Sequence, residues 1–174
     1  MHWIDPQSLP STEGDVARFL FNAEGHADGF LFANGQQVHS SPHLSQALLK
    51  QVRVGDRVRV RGFKPRGADV LVALSLTTHG GHTLEDLGVT APEQTECPKH
   101  KTVQFDGVVT RCLYAPEGAV CGALLEDGGI LRMHPEDKEK LLHFLRPGSE
   151  VTVWGEQIRV RRQNVVDIAQ LAFV

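Results

Sequence analysis

The chain has 174 residues, 41% of them hydrophobic and 22% charged, with a formal net charge of -3. These are the values of an ordinary globular protein, and they exclude a mainly disordered one. The most apolar stretches, such as VLVALSL at 70–76, fall far short of the ~20 residues that a bilayer-spanning helix requires. No membrane partner is expected. The opening MHWIDPQSLP lacks a basic segment ahead of an apolar run, so no secretory signal is read there. Cys97, Cys112 and Cys121 are too few and too odd in number for a disulfide scaffold. A reduced, cytoplasmic protein is the expectation.

An internal repeat organises everything after the first ten residues. Shifted by 93 positions, residues 14–62 lie over 107–155 without a gap, and seventeen of those 49 positions are identical. Glycines are prominent among them, at positions such as 25, 29, 35 and 55, where turns and close backbone approach favour that residue. Two copies are therefore expected, at 11–78 and 103–174, with an extension at 1–10 and a linker at 79–102.

The elements of one copy follow from periodicity. In the second copy, 103–114 alternates and is rich in β-branched residues, which predicts a strand. APEG at 115–118 is turn chemistry. A second strand is expected over 120–126, and Asp127-Gly128 is a hairpin signal leading into a third at 130–133. Pro135 opens a short helix with Glu136, Asp137 and Glu139 in its first turn, where the helix dipole favours acids. Arg146-Pro147-Gly148 ends it. Val151 and Val153 alternate in a fourth strand, and 165–173 makes a fifth.

Three strands, a short helix and two strands, with PG-x-x-V-x-V-x-G at 147–155 and VG-x-x-V-x-V-x-G at 54–62, resemble the OB-fold, the oligonucleotide/oligosaccharide-binding fold. The resemblance covers nearly the whole chain outside the linker and the first ten residues. It implies an all-β chain with short helices, built as two tandem five-stranded barrels. It also implies a ligand face on strands two and three, bordered by the 1–2 and 4–5 loops. Fold alone leaves the ligand open: single-stranded DNA or RNA, an oligosaccharide or a protein.

Charge suggests where a polyanion would lie. Val58 and Val60 recur in both copies and mark the core face of strand four, so alternation sends Arg57, Arg59 and Arg61 to the opposite face. Lys64 and Arg66 follow in the 4–5 loop at 62–69, and the matching segment at 155–164 carries Arg159, Arg161 and Arg162. Such clustering is the footprint of phosphate binding, although the same cations would also protect a strand edge. Phe30, Phe32 and Phe63 are the candidate stacking platforms for bases, with packing as the competing use for strand phenylalanines; Trp154 is a further aromatic candidate.

Two more constellations stand out. His79, His82, Cys97 and His100 read as H-x2-H, fourteen residues, then C-x2-H, four zinc-type ligands in the linker, or else an ordinary flexible connector. Cys112 and Cys121 flank the APEG turn symmetrically and are expected to face each other as buried free thiols. Motifs for phosphate-loop, nucleophile-elbow or H-E-x-x-H chemistry are absent, and no enzymatic activity is expected. The leading expectation is single-stranded nucleic-acid binding, against a protein-interaction scaffold or an accessory subunit of a larger complex.

Overall fold

The structure, a computed structural model, describes residues 5–85 and 99–174. Contacts divide the chain into two compact units, the first holding most of the residues up to 94 and the second most of those from 95 onward. The first contains β1 (Ser11–Phe21), β2 (Ala27–Phe32), β3 (Gln37–His39), α1 (Ser45–Gln51), β4 (Arg57–Phe63), β5 (Val70–Thr78) and β6 (Thr83–Glu85). The second contains β7 (Lys101–Tyr114), β8 (Val120–Leu125), β9 (Ile130–Arg132), α2 (Lys138–Leu141), β10 (Glu150–Val160) and β11 (Gln163–Phe173).

In the first unit the strands run β3-β2-β1-β4-β5, and a parallel pairing of β3 with β5 closes the ring. The second closes in the same way, as β10-β11-β9-β8-β7 with β9 parallel to β11. Numbered within each unit the ring is 1-2-3-5-4, with the helix between strands three and four. Both units are OB-fold barrels. Closure removes the free edges that an open five-stranded sheet would expose.

The shared glycines have a steric reason. An added Cβ at Gly62 would fall onto the Val72 carbonyl oxygen, and one at Gly155 onto that of Asp167. Both positions adjoin a register shift, between β4 and β5 in one barrel and between β10 and β11 in the other. Such bulges sharpen the local bend that a small barrel needs.

Three expectations require adjustment. The helix after Pro135 is not one regular α-helix: α2 spans four residues between 3-10 turns at Pro135–Asp137 and Leu142–Phe144. Part of the linker, Thr83–Glu85, is a sixth strand paired with β5. The segment at 155–164 is not a loop. Ile158 is buried, and β10 and β11 continue to a turn made only of Arg161 and Arg162. No helix among the described residues is long and apolar enough to cross a membrane.

Gly62→Ala and Gly155→Ala are each expected to destabilise by about 1–3 kcal/mol, the cost of overpacking against backbone. Gly80→Ala, with nothing closer than 3.6 Å, is expected to stay within about 0.5 kcal/mol of the parent. Denaturant unfolding of the three variants measures this.

Candidate nucleic-acid interface

Alternation along β4 works as the sequence implies: Val58 and Val60 are buried, Arg57 and Arg59 are exposed, and Arg61 is half-buried. Pairing with β1 then determines the company those cations keep. In the antiparallel register Asp15 lies opposite Arg57, Glu13 opposite Arg59 and Ser11 opposite Arg61. Arg59 Nε donates to Glu13 Oε1 at 2.8 Å, while Arg57 reaches Asp15 at 3.5 Å and Glu13 at 3.7 Å. Arg61 donates to the carbonyl oxygens of Leu9 at 3.1 Å and Gln7 at 3.3 Å. Lys64 lies 3.8 Å from Asp69.

The stripe is therefore a cross-strand ion-pair lattice rather than a row of free cations. Directly opposite charges are the side-chain pairs that stabilise a sheet. A depression of about 240 Å³ lies over them, lined by Glu13, Arg57, Val58, Arg59, Thr77, Thr78 and His79. Glu13 in the lining and Asp15 beside Arg57 offset the two arginines, which makes the depression a weak attractor for phosphate. The same cross-strand position in the second barrel is also filled by a polar pair, where the Thr152 hydroxyl donates to Asp106 Oδ1 at 2.7 Å.

The remaining basic candidates stand differently. Arg66, in the segment between β4 and β5, is exposed, as are Arg159, Arg161 and Arg162. Among the described residues none of these four makes a salt bridge. Arg161 and Arg162 both have left-handed backbones, with φ of 46° and 67°. Two consecutive left-handed residues form the type I′ hairpin turn, which normally takes Asn-Gly; arginine there costs about 1 kcal/mol or more per residue. Strain of this kind is characteristic of functional segments.

The aromatic candidates separate cleanly. Phe30 and Phe32 are buried, their rings edge to face at 5.4 Å, and Phe32 lies against Gly14. A ring without exposed area offers no face to a base, so their assignment as stacking platforms is corrected: they are core. Every residue of β2 except Asp28 is buried, and all of β9 is. Neither β2 nor β9 therefore presents an exposed side chain to a ligand. Phe63, at the end of β4, is 45% exposed and is the stacking candidate that remains available. Trp154 is half-buried on β10, opposite Gln104 and Gln170.

The linker histidines do not assemble as a ligand set among the described residues. His79 and His82 belong to the turn between β5 and β6, where the His82 backbone N–H donates to Thr78 Oγ1 at 3.2 Å. His100 Nδ1 lies 3.6 Å from Glu156, and Cys97 falls outside the described residues. No group of three or more His, Cys, Asp or Glu side chains among those described is placed to hold a metal. Cys112 and Cys121 do not face each other either. Cys112 lies opposite Ala123 and donates to the Leu145 carbonyl oxygen at 3.0 Å, and burial raises its thiol pKa. The register shifts between Leu113 and Tyr114, and Cys121 Sγ accepts from Arg132 Nη1 at 3.3 Å instead. Neither cysteine is in a disulfide.

No protein-family model matches this chain, and no curated protein does. Two solved structures similar to it are the wild-type single-stranded DNA binding protein from Thermus aquaticus and a deletion mutant of that protein. Identities are 18% and 16%, with 94% of this chain aligned in both cases and 91% and 92% of theirs. The TM-scores are 0.31 and 0.30. The fold assignment rests on the strand order of the two barrels and not on these likenesses.

Two predictions follow from the charges. The Arg59 guanidinium, by hydrogen bond and by charge, holds the Glu13 carboxyl below its ordinary value of 4.5, with Arg57 adding to the effect. A lowered folded-state pKa stabilises above the unfolded value and is lost as pH falls through the folded one. The melting-temperature gap between wild type and Glu13→Gln is therefore expected to be constant above about pH 5 and to close in more acid solution. In the hairpin, Arg161→Asn with Arg162→Gly is expected to raise stability by about 2 kcal/mol, read by denaturant unfolding, because both residues then suit the turn.

Proposed function

We propose that this chain binds single-stranded nucleic acid, DNA or RNA, through arginines presented at or beyond the end of the fourth strand of each barrel. Arg159, Arg161 and Arg162 hold phosphates on the second barrel. Arg66 does so on the first, beside Phe63 as a stacking surface. The observation that carries this reading is the contrast in pairing: Arg57 and Arg59 are matched by carboxylates, whereas these four arginines are exposed and free of salt bridges among the described residues. The strained Arg161-Arg162 turn points the same way, since the fold keeps two cations where Asn-Gly would be more stable. The role is binding without catalysis, in a reducing cytoplasm.

Binding of labelled single strands, followed by fluorescence anisotropy across a salt titration, tests it. Wild type is expected to lose affinity steeply with salt. Arg159→Ala/Arg161→Ala/Arg162→Ala is expected to lower the log–log slope by about 2–3, roughly one per phosphate contact. Arg59→Ala is expected to change affinity by less than about twofold, as removing an already paired cation should. Failure to bind at low salt, or a triple variant that binds like wild type, contradicts the proposal.

One observation favours the protein-interaction reading. Phe173 is 57% exposed, with its ring 4.7 Å from Phe144 and 6.0 Å from His143, and Leu142 and Val174 are exposed as well. That apolar surface on the second barrel suits a protein partner better than a phosphate backbone.

A further inference from the structure

A groove of about 350 Å³ in the second barrel has no part in the phosphate contacts. Val103, Phe105, Leu125 and Val166 line it and also belong to the barrel core or pack against it. Its floor is therefore apolar and rigid. Lys101, Gln104, Gln157 and Asn164 supply polar groups around that floor.

Asn164 is the informative residue. Its Oδ1 is buried and accepts no hydrogen bond, an unmet acceptor that a turn of the half-buried side chain toward the groove presents to an incoming N–H. The groove also contains two acids. Asp106 accepts from Thr152 and Asp127 accepts from the Gly129 N–H at 2.8 Å. Two carboxylates against Lys101 alone repel a phosphate and leave the space to an uncharged, flat, partly polar group. Strand register places the phosphate sites next to it. Gln157 pairs with Val166 and Arg159 with Asn164, so alternation puts all four on one face of the hairpin whose tip is Arg161-Arg162.

We propose that this groove takes one unstacked nucleobase, which turns an N–H edge to Asn164 Oδ1 while its flanking phosphates lie on the hairpin arginines. The assignment rests on the single-strand reading above. The apolar floor supplies stacking and dispersion, and the amides of Gln104 and Gln157 supply donors and acceptors for the rest of the base edge. A volume of about 350 Å³ is within the range of small-ligand sites.

Competition anisotropy with two single strands of equal length and phosphate count, one carrying bases and one fully abasic, tests the assignment on the full chain. The base-bearing strand is expected to bind about tenfold tighter, the order of one stacked base. Asn164→Ala is expected to remove most of that advantage and to leave the abasic strand unaffected. Gln157→Ala, on the facing strand, is expected to do the same more weakly, and thermal melts of both variants establish that the barrel is folded. Equal affinity for the two strands, or an Asn164→Ala effect that is the same on both, overturns the base pocket and leaves the arginine contacts standing. No binding of either strand at low salt overturns both.

Discussion

Antiparallel pairing of β1 with β4 sets Glu13 across from Arg59 and Asp15 across from Arg57, and the electrostatics of the first barrel follow from that register. Each outward residue of β4 meets an outward residue of β1, because successive side chains alternate and directly paired residues share a face. Exposed pairs of this kind contribute little to stability individually. Their larger consequence is for the field: a basic stripe in the sequence becomes a near-neutral lattice on the barrel. What attracts a polyanion is then decided by cations that the ladder does not match, and these lie past the end of the β1–β4 pairing.

Burial imposes the second constraint. β2 and β9 hold no exposed side chain on either face, although each carries one charged residue, the half-buried Asp28 and the buried Arg132. These two strands leave a ligand no exposed side chain to meet. The second barrel instead offers its β10–β11 hairpin, with arginines at the tip and a groove with an apolar floor on the same face. Strain and unmet hydrogen bonding coincide there: two left-handed arginines and the buried Oδ1 of Asn164. Departures from local consistency are expected at functional sites rather than in the scaffold.

Much of this was legible in the sequence, and the parts that were not share a cause. The order of strands and helix along the chain followed from periodicity and turn residues, the barrels from the resemblance of that order to the OB-fold, and the inward face of β4 from Val58 and Val60. The neutralisation of Arg57 and Arg59 was missed because it depends on pairing between segments 46 residues apart. A signal existed: in an OB ring strand one pairs antiparallel with strand four, and Glu13 and Asp15 share the alternation of the arginines. The 155–164 segment looked like a loop because Arg161-Arg162 is an unfavourable turn sequence. Composition cannot reveal a strained hairpin, although Ile158 and Val160 alternate as strand residues do. Phe30 and Phe32 were ambiguous for a different reason, since period two assigns faces but cannot say whether the outer face is covered. For Cys112 and Cys121, symmetry about a turn suggested contact, and a single register shift undid it.

The central claim is that the hairpin arginines, and not the β4 stripe, meet the phosphates. Resonances of arginine Nε–H groups, followed by NMR as a short single strand is added at low salt, address it residue by residue. The account predicts that Arg159, Arg161 and Arg162 shift together and saturate while Arg59 keeps its position on Glu13. A shift confined to Arg57 and Arg59, with the hairpin resonances unmoved, would contradict it.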